Sequence, residues 1–421
     1  MTAIVGFMNK HGVAVAADSA VTLGNTHKVV NSGNKIFTLS KYAPVGIATY
    51  GNASFMETPW EIIVKLFRKR LGKNKFNTLD EYISSFVEYL HNEEFFLDED
   101  IKKQILLQRA IAFYNCSVTH SQEYNGYDEN DASRFLSEEL RNCMQLNSND
   151  EESRFCEMQT YNYEAFYEYF RESYMSNIQR MPLLINAEQQ ELFLHSFYQY
   201  IRVYVEFESD SGLVFFGYGE KEIYPSMINV VVADSFNGRL RYKRLEYNSG
   251  RITVGGSTAW VIPYAQIDVA QTIIRGINPS FLEVLRGSMI DVLDGYRQNL
   301  VSMIPANEQT QNALNAIKAI NHKDVAQTFV DYATGEFRKF YTNPLINTVA
   351  RLSKEDMANL AESLVELTSL IRRMTPKEET VGGPVDVAIV SKGDGFIWLK
   401  RKHYFDLKLN ANFLNTYNDE E

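Results

Sequence analysis

The sequence predicts an α+β fold interrupted by two long helical insertions, and three observations carry that expectation. Short apolar, β-branched runs broken by turn residues occur at the start of the chain, over residues 212–254 and over 385–398. Between them, residues 92–210 and 276–348 space their apolar residues in a helical pattern. The composition, 45% hydrophobic and 23% charged over 421 residues, suits a sizeable core. The expected segments are 1–91, 211–275 and 349–421 as parts of one αβ domain. Residues 92–210, rich in aromatics, and 276–348 are the insertions.

Taken in order, residues 2–6 and 12–18 read as two strands of a hairpin around the turn Asn9-Lys10-His11-Gly12. Two more short strands follow at 37–39 and 45–50. A helix over about 59–70 has Pro59 at its first turn and Trp60, Ile63, Val64 and Phe67 on one face. A second is expected over 78–89, with Thr78 in the cap region. The acidic 92–210 stretch carries Tyr161, Tyr163, Phe166, Tyr167, Tyr169, Phe170 and Tyr174, then Phe197, Tyr198, Tyr200 and Tyr204. These rings fit either the core of a helical insertion or a recognition surface. Strands are expected at 212–218, 227–233, 240–246 and 252–254, with 234–239 as a turn and a helix over 259–275. Near the end, Ser353 and Asp356 form a weak capping box for a helix whose Met357, Leu360, Leu364, Leu367 and Leu370 share a face. A hairpin then turns at Gly393-Asp394-Gly395.

The opening hairpin has a chemical meaning. Its register sets residue 2 beside residue 18, so loss of Met1 would leave the α-amine of Thr2 next to the Asp18 carboxylate. A threonine hydroxyl needs a base, and an α-amine titrating near ~7.7–8.0 can serve. A lysine nearby, Lys35, would favour proton loss from its neighbours, and a carboxylate would hold that lysine in place.

Thr-x-x-Val-Gly from Thr2, Gly-Val-x-Val-Ala-Ala-Asp-Ser from Gly12 and Lys35-Ile36 resemble the start of proteasome β-subunits and their bacterial ring-protease relatives. So does the closing Gly382-Gly383 ahead of an Asp-Val-Ala-Ile strand. The resemblance covers roughly 2–90, 212–275 and 350–410. It implies a four-layer αββα sandwich of the N-terminal nucleophile hydrolase type. It also implies Thr2 as nucleophile, with Asp18 and Lys35 as the paired charges, one residue further apart than in the family. A backbone donor to the oxyanion falls at Gly46 or Ala48, and Val21, Gly46 and Tyr50 are pocket candidates. Ser257 matches a serine bonded to the N-terminal amine, or else caps the helix expected over 259–275. Before Gly382, Glu378 takes the place of a family aspartate and Val381 that of a serine, with Glu379 or Thr380 able to supply an oxygen. Family members stack into rings, so a homo-oligomer is possible. The non-catalytic subunits carry an N-terminal helix that this chain lacks, which favours the catalytic type.

Three readings follow: a threonine-type peptidase acting on peptides or unfolded protein, a catalytically idle scaffold, and a small-molecule amidase. A net charge of −11 argues against nucleic acid or anionic membrane as partners. The absence of an apolar run or signal, with three cysteines lacking a CxxC, points to the cytoplasm. No cofactor is expected: the seven histidines are scattered, and the Gly-rich turns at 217–219 and 255–257 lack the Lys-Ser/Thr of a phosphate loop.

Overall fold

A computed structural model describes residues 2–23, 28–92, 98–205, 210–305, 310–375, 381–403, 405–406 and 409–410. The chain is mixed α/β with antiparallel sheets. Its first half runs β1 (Ala3–Asn9), β2 (Gly12–Ala17), β3 (Val21–Leu23), β4 (Lys28–Val30), β5 (Ile36–Thr38), β6 (Val45–Gly51), β7 (Ser54–Phe55) and β8 (Thr58–Pro59). Helices α1 (Trp60–Leu71), α2 (Leu79–Asn92), α3 (Glu99–Ser121), α4 (Ala132–Asn149), α5 (Tyr163–Met175) and α6 (Ala187–Arg202) follow. Then come β9 (Ser211–Gly217), β10 (Ser226–Phe236), β11 (Arg239–Arg244), β12 (Gly250–Arg251) and β13 (Ala259–Ala265). The rest is α7 (Ile267–Arg275), α8 (Pro279–Met303), α9 (Gln311–Lys318), α10 (His322–Phe337), α11 (Asn343–Val349), α12 (Lys354–Met374), β14 (Asp386–Ser391) and β15 (Gly395–Lys400). No described helix is long and apolar enough to cross a membrane.

The chain divides into two units. One comprises Met1–Gly33, Arg251–Gly393 and Ile397–Glu421. It contains an antiparallel sheet in the order β13-β1-β2-β14-β15. Alternation along β1 sends Ala3, Val5 and Phe7 to one face, with Ala14, Ala16, Val387 and Ile389 beside them. Met357, Ala358, Ala361 and Val365 of α12 cover that face, the alanines letting the helix come close. Ser353 caps α12 by accepting the Asp356 N–H at 3.1 Å. Buried Asn9 donates to the carbonyls of Val349 and Leu352, tying the end of β1 to the turn before α12.

The other unit, Asn34–Gly250 with Asp394–Phe396, holds the sheet β11-β10-β9-β6-β5. Val45, Ile47, Leu213 and Phe215 pack beneath Trp60, Ile63 and Phe67 of α1 and Tyr82 and Phe86 of α2. On the opposite face large meets small: Gly46 is paired with Phe216 and Tyr50 with Gly212. A Cβ on Gly46 would run into the Phe216 ring, and one on Gly212 into the Tyr50 ring. Helices α3–α6 build a separate core from Phe113, Phe166, Phe170, Tyr174, Phe193 and Phe197, joined by Val231 and Phe236 of β10. The aromatic run of the first insertion is therefore core.

Three expectations change. Residues 259–265 are a strand, not the first half of a helix. Pro263 has no N–H to give a helix, and β13 is an edge strand, where proline is tolerated. Residues 252–254 form no strand. The turn expected over 234–239 shrinks to Asn237-Gly238, both at positive φ, as a two-residue hairpin loop requires.

Candidate active site

β1 and β2 pair from Asn9↔Gly12 to Ile4↔Ala17, and the ladder runs one step further as Asp18 donates its N–H to the Ala3 carbonyl at 3.1 Å. The return bond comes from the side chain: Asp18 Oδ1 accepts the Ala3 N–H at 2.9 Å. Asp18 Oδ2 accepts from Ala20 N–H and from Gly382 N–H, each at 3.1 Å. One buried carboxylate thus gathers three amides, from the N-terminal strand, from its own loop and from the segment before β14. On its other side, the carbonyl of buried Thr2 accepts the Gln266 N–H at 3.1 Å. The peptide after residue 2 is held from both flanks. An α-amine and hydroxyl on that residue would have few arrangements to sample.

Ser19 adds to the frame. Its N–H donates to Gly382 O at 3.0 Å, its carbonyl accepts from Gly33 N–H at 3.0 Å, and its hydroxyl donates to Pro384 O. Gly383 takes φ +75 against Asn31, where a Cβ would lie 2.8 Å from the Asn31 Cβ. Half-buried Val21 occupies the space that a Cβ on Gly33 would need.

Lys35, Gly46, Ala48 and Tyr50 belong to the other unit. Lys35 is buried, and its carbonyl accepts the Thr49 N–H at 2.8 Å. That bond fixes the alternation of β6. Odd-numbered amides face β5, so those of Gly46 and Ala48 face β9, whose Phe216 and Val214 are their register partners. The Tyr218 N–H bond to Pro44 O continues the same ladder. Both amides therefore point into the sheet ladder. The Tyr50 hydroxyl is engaged with Asn229, whose Nδ2 donates to it at 2.8 Å.

Ser257 does not reach the site. β13 runs antiparallel to β1 with Asn9↔Ala259 at one end and Ala3↔Ala265 at the other. Exposed Ser257 therefore lies beyond the Asn9 end, which is itself roughly 20 Å of strand from Thr2. It caps no helix either, because a strand follows it. The junction next to Thr2 is instead Ala265-Gln266, with Ala265 at φ +62, a conformation uncommon outside glycine. The Gln266 side chain accepts from Arg372 Nε, and Arg372 also binds Asp268. A helix over 259–265 hides Ala265 and Gln266 as neighbours of Thr2, and Pro263 is the sequence signal against that helix. Glu378, Glu379 and Thr380 lie outside the described residues. Val381 is a buried apolar side chain, and its carbonyl accepts from Ser369 Oγ at 3.3 Å.

No protein-family model matches the chain, and no curated protein does. Among solved structures it is similar to Anbu from Hyphomicrobium sp. strain MC1, at 10% identity and a TM-score of 0.32, over 99% of this chain and 94% of that one. It is also similar to Anbu (ancestral beta-subunit) from Yersinia bercovieri, at 9% identity and 0.29, over 99% and 95%. A third is the helical assembly of the Anbu complex from Pseudomonas aeruginosa, at 10% and 0.28, over 99% and 94%. Likeness at this level carries no weight for fold or chemistry, which rest on the chain's own residues.

Proposed function

We propose that this chain is a threonine-type hydrolase of peptide bonds, with Thr2 as nucleophile once Met1 is removed. The observation that carries the reading is the Asp18 carboxylate bonded to the Ala3 amide, one peptide away from Thr2. With both oxygens engaged by amides, Asp18 orients; it is not the base. In the proposed reaction Thr2 Oγ attacks the substrate carbonyl and its proton passes to the Thr2 α-amine. Collapse of the tetrahedral intermediate expels the amine product, which takes up that proton. Water then hydrolyses the ester and restores the threonine. Lys35 is assigned the ammonium role by its match to the family lysine. The substrate class, peptide or unfolded protein, is carried over from the same resemblance.

Buried Val381, where the family has a serine, favours a second reading: an idle scaffold of the same fold. A small-molecule amidase is the third. Intact mass before and after an epoxyketone or β-lactone separates them. The hydrolase reading expects a chain lacking Met1 that gains one adduct, absent in Thr2→Ala. A chain that retains Met1, or a processed and folded chain that takes no label, overturns it.

A further inference from the structure

Helix α8 has two apolar sides: one holds buried Leu282 with half-buried Met289, Leu293 and Leu300, and the other is exposed. Phe281, Val284, Val292, Tyr296 and Met303 are 56%, 63%, 70%, 62% and 78% exposed. At 100° per residue they fall within about one third of the helix circumference. Leu282 is the only α8 residue buried among those described. The helix's ion pairs sit away from the stripe: Arg286 binds Glu283, while Asp294 binds Arg297 and the imidazole of buried His322.

We propose that this stripe is a self-association surface, with α8 packed antiparallel on α8 of a second copy about a two-fold axis through Val292. Positions equally far on either side of that residue meet across such an axis. Phe281 lies eleven positions before it and Met303 eleven after; Ser288 lies four before and Tyr296 four after. A two-fold axis therefore sets Phe281 against Met303 of the second copy, and the tyrosine against the small Ser288, so bulk meets space on both sides. Side chains of these sizes, more than half exposed, present on the order of 600 Å². With Ser288, Gly295 and Asn299 between them, the stripe approaches the ~800 Å² per partner of a standard interface. It holds no charge to attract an ionic partner, and Asp291 at its edge disfavours an anionic lipid surface.

The test is the mass of the full chain in solution, by sedimentation velocity at tens of micromolar. The unaltered protein sediments as a dimer or a multiple of one. Val292→Glu sets two carboxylates face to face at the axis and weakens association by about 100-fold or more. Its melting curve at high dilution is unchanged, since residue 292 is exposed within one copy. With Cys116 and Cys156 changed to serine, Val292→Cys oxidises to a disulfide-linked dimer, whereas Glu283→Cys on the opposite side does not. If Val292→Glu fails to fold, the cross-link decides. A monomer at these concentrations, a Val292→Glu protein of unchanged mass, or a dimer that Val292→Cys cannot cross-link each overturns the proposal.

Discussion

The two helical regions look alike in sequence and differ in what they bury. In α3–α6, Phe166, Phe170, Tyr174, Phe193 and Phe197 have no exposed surface, and successive ring centroids lie 5.5–6.0 Å apart along Phe166–Phe170–Phe197–Phe193. In α8, residues of similar size face solvent. The first region is also fastened to its sheet by charge. Arg109 of α3 binds Asp210 and Asp234, and fully buried Arg241 of β11 binds Asp234 through both oxygens at 3.1 Å. Aromatic content alone thus does not say whether a helix completes its own core or leaves a face for another chain.

Phe197→Ala should cost about 3–5 kcal/mol in equilibrium denaturation. Phe281→Ala, measured dilute enough to keep the protein monomeric, should stay within about 0.5 kcal/mol. Equal losses would mean that α8 is as firmly packed as α6. Arg241→Ala leaves Asp234 buried with one cation fewer and should destabilise by about 3 kcal/mol, near the low end for broken buried pairs.

Acid sharpens the same point. Burial alone would raise the Asp234 pKa, but Arg109 and Arg241 together more than offset it and hold the carboxyl below its usual range. Its stabilising contribution is therefore complete above the ordinary carboxylate range and is lost as pH falls through the lowered folded value. Urea midpoints measured from pH 6 downward should fall less steeply in Asp234→Asn than in the unaltered protein. The smallest expected effect is a gain. The Tyr174 hydroxyl is buried with no hydrogen-bond partner among the described residues, and burial raises its pKa. Tyr174→Phe removes that group and should add up to about 1 kcal/mol; a loss would reveal a partner for the hydroxyl.

Much of the architecture was legible because strands and helices write different periods. The β1–β2 and β14–β15 hairpins, β6 and α12 all declare themselves by spacing and turn residues. Local pattern failed where tertiary position decides. Residues 259–265 form an edge strand only because β1 is there to pair with, and misreading them displaced Ser257 and hid Gln266. Asp234 looked like a turn residue because the two arginines that bind it come from positions 109 and 241. At the site, the nearness of residues 2 and 18 follows from a hairpin and could be read directly. The Gly382 amide on Asp18 could not, since no periodicity links residues so far apart. Nor does sequence show that the amides of Gly46 and Ala48 face β9, since the direction of an N–H depends on which neighbour a strand acquires.

That Gly382–Asp18 bond spans 364 residues. At synthesis rates of about 5–20 residues per second, the third amide reaches the carboxylate roughly 20–70 s after Asp18 has been made. β2 likewise waits for β14 and β1 for β13, so the nascent chain carries the opening hairpin without either flank. The frame around Thr2 therefore closes only after residue 382 has been made, and a shorter nascent chain lacks it.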